Sequence, residues 1–226
     1  MAQMMLQFTP LDKVRLDPGK IQIYDCEFNR MNAQIGEHHI TGAAVYWDPA
    51  LGYKSNDHSV CALVFRDDKS HNVFIHDIKY MIVPDDCEQP LTYQCDVVLD
   101  FMAKYDLRKL AVETNGLGNA LPEILSDKIA SRGGGIVIQK ITNHAKKESR
   151  ILDALEPLLG AGRLFAHLRI QQTPFMSEML GWSPIGGIGH DDGLDAVAGA
   201  INIIPGPIRP LGSIIRRYTA NTQFKL

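Results

Sequence analysis

Residues 189–200 read GHDDGLDAVAGA and place three carboxylates directly before a run of small apolar residues. Aspartate is a strong capping residue at helix N-termini, and the apolar positions after Asp195 recur at helical spacing, so the stretch predicts the start of a buried helix. A capping role accounts for one aspartate. Three like charges so close together repel one another unless a cation, a proton or solvent screens them, so the stretch is also a candidate metal site.

The composition is typical of one globular domain. The chain has 226 residues and a formal charge of -3. Of these residues 45% are hydrophobic, and this is enough apolar material for a sizeable core. No apolar run reaches the roughly 18 residues of a membrane span, and we expect a soluble intracellular protein without a membrane partner. The four cysteines include no Cys-x-x-Cys pair, which indicates neither disulfides nor a structural zinc site.

Strand-like and helical segments alternate along the chain. Residues 42–50, 59–65 and 72–83 predict three strands of an antiparallel meander, separated by polar turns. Two buried strands, a short extended piece and five helices follow, near residues 90–105 (helix), 109–116 (strand), 117–130 (helix), 136–141 (strand), 145–159 (helix), 163–166 (extended), 172–180 (helix) and from 192 (helix). This order predicts an α/β fold whose mixed central sheet combines the meander with parallel strands and is flanked by helices.

The chain contains no internal repeat or low-complexity segment. Residues 1–40 show no sustained period and are predicted to be a lead-in, residues 41–204 to be the main domain, and residues 205–226, which begin with a Pro-Gly-Pro break, to be a basic C-terminal tail.

Acidic residues stand at the ends of two predicted strands and at the start of the last helix. Asp48 follows the first strand of the meander, Glu113 ends the fourth strand, and Asp192 and Asp195 open the helix. In an α/β sheet, polar groups at neighbouring strand ends converge on one crevice, and buried carboxylates there need a shared cation. Oxygen-only ligands favour Mg²⁺ or Mn²⁺, and two such ions can drive in-line hydrolysis of a phosphodiester.

Basic residues are concentrated around the fifth strand and the helix after it. We predict that this segment contacts a DNA backbone, although a solvated helix face would have the same composition. His190, beside the acids, is more typical of a hydrogen-bonded bystander than of a catalytic group. The candidate DNA-binding residues are Lys54, Lys140, Lys146, Lys147 and Arg150.

In order and spacing, these pieces resemble the nuclease domain of the large terminase subunit of tailed phages, a member of the RNase H-like (retroviral integrase) superfamily. The likeness runs from about residue 42 to residue 204. The matching pieces are Trp47-Asp48-Pro49-Ala50 with Lys54 and Asp57 behind it, Val112-Glu113-Thr114-Asn115, residues 146–165, and His190-Asp191-Asp192-Gly193-Leu194-Asp195-Ala196.

The resemblance implies an RNase H-like fold and an endonuclease that uses Mg²⁺ or Mn²⁺ to cut concatemeric viral DNA during genome packaging in the host cytoplasm. It implies double-stranded DNA, an ATPase half of the large subunit, a small terminase subunit and a portal as partners. Asp48 and Glu113 fill the first two acidic positions. Asp191, Asp192 and Asp195 compete for the third position, and we rank Asp192 and Asp195 above Asp191.

Two alternatives remain open from the sequence. Asp192 and Asp195 have the three-residue spacing of the acidic pair in Holliday-junction resolvases of the RuvC type, so a junction resolvase is one alternative function. The other alternative is a non-catalytic RNase H-like module that binds nucleic acid and whose acids only cap a helix and meet solvent. No Walker motif is present, so no ATPase activity is predicted for these residues.

Overall fold

A computed structural model of the chain describes residues 15–50, 58–115, 120–185 and 189–205. Within these residues, nine strands and five α-helices are formed. In chain order the strands are β1 (Gln22–Tyr24), β2 (Gln34–Ile35), β3 (His38–His39), β4 (Gly42–Asp48), β5 (Ser59–Asp67), β6 (Asn72–Met81), β7 (Lys109–Glu113), β8 (Val137–Ile141) and β9 (Leu164–His167). The helices are α1 (Pro90–Lys104), α2 (Ala120–Ser131), α3 (Lys147–Gly160), α4 (Phe175–Gly181) and α5 (Asp192–Ile203).

The main sheet confirms the predicted fold class. In the described part of the chain it has seven strands in the order β1-β9-β6-β5-β4-β7-β8. Strands β4, β5 and β6 form the antiparallel meander. The neighbours outside the meander pair in parallel, β7 and β8 on one side and β9 and β1 on the other. The strands β2 and β3 form a separate small ribbon.

Each face of the sheet is covered by a different set of helices. Because side chains alternate along a strand, Tyr46 and Ala111 lie in the core shared with α3, α4 and α5, whereas Trp47 and Val112 lie in the core shared with α1 and α2. The small side chains of α5 are fully buried, and this allows the helix to pack directly on β4 and β5. The face that carries Tyr46 therefore also receives the start of α5.

The predicted lead-in packs against the main domain over its described part. Leu16 and Ile21 are buried in the core beneath α3 and α4, and β1 adds an edge strand beside β9. Residues 1–14 and 206–226 lie outside the described residues, so the predicted domain boundaries stay predictions. None of the described helices combines the length and the apolar character that a membrane crossing requires.

Candidate metal centre

Two of the predicted acids meet because their strands are parallel neighbours. Asp48 is the last residue of β4 and Glu113 the last residue of β7. Tyr46 pairs with Ala111 and Trp47 with Val112, so the two strands end side by side. Asp48 has the same parity as Tyr46, and Glu113 the same parity as Ala111, and therefore both carboxylates point to the face covered by α5.

The third carboxylate comes from the first turn of α5. One oxygen each of Asp48, Glu113 and Asp195 lie within 4.8 Å of one another. Glu113 and Asp195 are buried, at 7% and 4% exposure. We call these three residues the acidic triad. Three elements that are distant in sequence thus bring three carboxylate oxygens to one point, and such donors suit a divalent cation such as Mg²⁺ or Mn²⁺.

The electrostatics of the acidic triad are those of crowded anions. Burial raises the pKa of Asp48 well above its ordinary value, and the neighbouring charges of Glu113 and Asp195 raise it further. Burial also raises the pKa of Asp195, to about 6, although Arg150 and Lys147 act in the opposite direction. A cation placed among the three carboxylates would oppose the repulsion that contributes to the raised pKa of Asp48 and of Asp195.

Two cations from the start of α3 partly neutralise the acids. Nη2 of Arg150 donates to both oxygens of Asp195, at 2.7 and 2.5 Å, and Nη1 lies 3.5 Å from Glu113 Oε1. Nζ of Lys147 lies 2.7 Å from Asp191 and 3.9 Å from Asp195. Arg150 and Lys147 were predicted to contact DNA. In this structure their charged groups face the acids.

Tyr46 orients Glu113 through a hydrogen bond. Its hydroxyl donates to Glu113 Oε2 at 2.5 Å and accepts a hydrogen bond from Asn143 Nδ2 at 2.8 Å. Tyr46 was not among the predicted site residues. Its spacing from Asp48 could have indicated it, since residues two apart on a strand share one face of the sheet.

The start of α5 is not capped as the aspartate-rich sequence suggested. Asp191 occupies the N-cap position but its side chain makes no capping hydrogen bond. Instead, Glu178 of α4 accepts from the backbone N–H of Leu194 at 3.1 Å, and burial raises the pKa of Glu178 to about 7. Gly193 is required here, because a Cβ would lie 1.8 Å from the hydroxyl of Tyr80.

Asp192 points to a different set of partners from those of Asp195. Its Oδ2 accepts from the backbone N–H of His58 at 2.9 Å and lies 3.5 Å from His58 Nδ1 and 4.0 Å from His190 Nδ1. Its Oδ1 lies 3.4 Å from Lys147 Nζ. The assignment of Asp192 as a catalytic acid stays a prediction. His58, which was not among the predicted site residues, lies with His190 beside Asp192.

Two other predicted DNA contacts, Lys146 and Lys140, are exposed. Lys146 is exposed at the N-cap of α3. Lys140 is exposed on β8, where its parity with Ile138 places it on the face covered by α2. Lys54 and Asp57 lie outside the described residues.

The mixed sheet, with acidic residues at the ends of two parallel strands and at the start of a packed helix, is the arrangement expected of an RNase H-like domain that binds metal ions. The family model of the ribonuclease H-like domain of the bacteriophage T7 terminase matches residues 56–164. The match includes Glu113 and Arg150, whereas Asp48 and α5 lie outside it. No curated protein matches the chain.

Solved structures of terminases share the fold. The Mn-soaked, inhibitor-bound nuclease domain of the human cytomegalovirus terminase superposes with a TM-score of 0.56 at 14% identity, covering 84% of this chain and 93% of that one. The nuclease domain of the P22 large terminase gives 0.53 at 15% identity, with 82% and 88% covered. The HK97 bacteriophage large terminase gives 0.51 at 11% identity, with 70% and 38% covered.

At these identities the structures show the fold, and the family model adds the terminase relationship. Together they confirm the resemblance found in the sequence: residues 56–164 are similar to the ribonuclease H-like domain of a phage terminase, and the fold is similar to that of terminase nuclease domains. The relationship supports a nuclease role in packaging.

Proposed function

We propose that this domain is a Mg²⁺- or Mn²⁺-dependent endodeoxyribonuclease that cuts concatemeric viral DNA during genome packaging. The observation that carries the proposal is the convergence of Asp48, Glu113 and Asp195 from three separate elements within 4.8 Å. Crowding of anions is costly without a cation, and carboxylate oxygens alone select hard divalent ions. The Mn-soaked cytomegalovirus terminase nuclease domain, which shares this fold, supports the choice of ion.

The chain's own residues would hold and orient the reacting groups. Asp48, Glu113 and Asp195 would hold the two divalent ions, and Tyr46 fixes the orientation of Glu113 through its 2.5 Å hydrogen bond. Divalent ions bound there would supply an activated water and a counter-charge for the leaving oxygen. Arg150 stays close enough to Asp195 to limit how far that carboxylate can turn. Asp191 and Asp192 are the remaining predicted metal ligands, and both lie close to Lys147.

The substrate and partners are proposed on the terminase relationship. We propose double-stranded DNA as the substrate and an ATPase half, a small terminase subunit and a portal as partners, with activity in the host cytoplasm. The HK97 large terminase supports the idea of a larger polypeptide, because the matched part is 38% of that chain. No base-reading element is visible in the sequence, so we expect cutting with little sequence preference.

The decisive experiment removes one charge from the acidic triad. Asp48→Asn and Asp195→Asn should each abolish plasmid nicking in Mn²⁺, because each removes a carboxylate while keeping the shape of the side chain. Asp153→Asn is the matched control, since Asp153 is an exposed aspartate on α3 outside the acidic triad. Circular dichroism and melting curves show whether each variant is folded.

Two outcomes would contradict the proposal. Undiminished nicking by folded Asp48→Asn protein would remove the acidic triad from the reaction. A wild-type protein that binds DNA but gives neither heat nor a melting shift with Mn²⁺ would favour a non-catalytic binding module. Comparing branched with linear DNA in the same assay separates a terminase-type nuclease from a junction resolvase.

A further inference from the structure

A second group of possible metal ligands lies beside the acidic triad. Donor atoms of His58, His190 and Asp192 all lie within 4.8 Å of one another. Oδ2 of Asp192 lies 3.5 Å from His58 Nδ1 and 4.0 Å from His190 Nδ1. The two imidazole rings stand 5.0 Å apart, centre to centre, and nearly perpendicular. We call these three residues the histidine cluster.

The polar atoms of the histidine cluster are only partly satisfied by protein contacts. Nδ1 of His58 is buried and has no hydrogen-bond partner in the described residues, which is costly for a nitrogen that could bind a proton or a metal. The Asp192 carboxylate is only 6% exposed, whereas the side chains of His58 and His190 are 40% and 41% exposed. The cluster therefore combines a buried anion with two partly exposed imidazole rings, and Nδ1 of His58 is turned inward.

The composition of the histidine cluster differs from that of the acidic triad. Imidazole nitrogen with one carboxylate suits borderline metals such as Zn²⁺ and Co²⁺, whereas oxygen-only sets suit Mg²⁺. Ligand atoms about 2.0–2.1 Å from a tetrahedral ion lie roughly 3.3 Å from one another. The separations of 3.5 and 4.0 Å to Asp192 would need only small side-chain movements to reach that spacing.

We infer that the histidine cluster is a second metal site, which binds one borderline divalent ion such as Zn²⁺ or Co²⁺ through His58, His190 and Asp192, with solvent completing the coordination. The inference goes beyond the proposed nuclease function and does not need ions in the acidic triad. Because His58 immediately precedes β5 and Asp192 begins α5, a bound ion would cross-link the start of a central strand to the start of the helix that carries Asp195.

Cobalt(II) is the probe, since its visible absorption reports nitrogen ligands and low coordination number. We would measure Co²⁺ binding by absorption and equilibrium dialysis in the Asp48→Asn background, where the acidic triad is weakened. The parent Asp48→Asn protein should bind one ion. Adding His58→Ala or His190→Ala should weaken binding by about tenfold or more, because even loss of an outer partner of a metal ligand costs that much.

The controls separate ligand loss from unfolding. His39→Ala removes an exposed histidine on β3 and should bind Co²⁺ as the parent does. Asp192→Asn keeps an acceptor for the backbone N–H of His58 but removes the charge, and should also weaken binding. His190→Ala changes a partly exposed loop residue, so it tests the site even if His58→Ala does not fold. Melting temperatures in EDTA identify the folded variants.

The inference is overturned if the Asp48→Asn protein binds no Co²⁺, or if both histidine variants bind it as tightly as their parent. The first result would show that the histidine cluster does not bind the ion and that its residues only contact one another. Neither result bears on the nuclease proposal, whose own test is Mn²⁺-dependent nicking. Conversely, a protein that does not nick DNA but binds Co²⁺ through His58 and His190 would keep this inference and lose the nuclease proposal.

Discussion

Two opposing effects act on the pKa of Asp195. Burial favours the neutral acid and raises its pKa to about 6, whereas Arg150 and Lys147 favour the carboxylate. In an unfolded chain the ordinary aspartate pKa is about 3.9. Between these values the folded protein binds more protons than the unfolded one, so the contribution of Asp195 to stability is full at low pH and is lost as the pH rises to about 6.

The pH prediction concerns the metal-free protein. Asp195→Asn cannot lose a proton, so its free energy of unfolding relative to wild type should increase as the pH rises from about 4 to about 7. Urea unfolding in EDTA at a series of pH values measures the difference. Comparing the two proteins at each pH cancels the titrating groups remote from Asp195. Asp48 does not cancel, but loss of the Asp195 charge lowers its pKa and therefore acts in the same direction. A difference that is constant or falls with pH would contradict the raised pKa.

Tyr46 provides a test of positioning at the acidic triad. Tyr46→Phe removes the hydroxyl that donates to Glu113 and accepts from Asn143, and should lower the free energy of unfolding by about 1 kcal/mol. Nicking in Mn²⁺ should fall, because Glu113 loses its fixed orientation. Tyr93→Phe, at an exposed position on α1, is the matched control. Normal nicking by Tyr46→Phe would limit Tyr46 to packing.

At the scale of elements, α5 is a helix that packs through its small residues. A Cβ on Gly199 would lie 2.6 Å from the ring of Tyr46. Overpacking of a tight core costs about 1–3 kcal/mol, more than the advantage of about 1 kcal/mol that alanine has over glycine in a helix. The close approach therefore fixes both the depth of α5 and the place of the tyrosine that supports Glu113.

We expect Gly199→Ala to lower the melting temperature and to reduce nicking together, because the added methyl group pushes on Tyr46. Gly160→Ala is the control at the end of α3, where the added Cβ meets no other part of the described chain within 4 Å, and it should be neutral or more stable by up to about 1 kcal/mol. Thermal unfolding and plasmid nicking measure both. Equal behaviour of the two variants would show that α5 can move away from the sheet.

At the scale of the whole molecule, two exposed cations, Lys146 and Lys140, differ in their position relative to the acids. Lys146 immediately precedes α3, whose Lys147 and Arg150 reach the acids. Lys140 lies on the face covered by α2, opposite the acidic triad. A DNA backbone that reaches the acidic triad therefore passes Lys146 more readily than Lys140.

Lys146→Ala should weaken DNA binding without metal and reduce the slope of log affinity against log salt by about 0.9, the value for one lost phosphate contact. Lys140→Ala should have a smaller effect, and Lys69→Ala, at the turn between β5 and β6 at the other end of the meander, should have none. Fluorescence anisotropy with duplex DNA over a range of KCl concentrations measures all three. A larger effect of Lys140 would place the DNA on the α2 face.

Much of the architecture followed from local pattern. Apolar runs separated by polar turns predicted the meander, and the order of the later strand-like and helical segments predicted the parallel strands and their helices. The pairing of β1 with β9 was not predicted, since three residues carry no readable period and the pairing depends on a strand about 140 residues away. The same holds for Glu178, which caps α5 from another helix.

By itself, the amino-acid sequence determined the types of the elements and the placement of acids at two strand ends and one helix start. Only the tertiary structure decided which aspartate joins Asp48 and Glu113. Spacing shows that Asp192 and Asp195 share a side of α5, but the rotation of the helix is set by packing of Gly193 against Tyr80 and of Gly199 against Tyr46. That rotation turns Asp195 to the acidic triad and Asp192 to the histidines, because a side chain's direction depends on long-range contacts that no local pattern encodes.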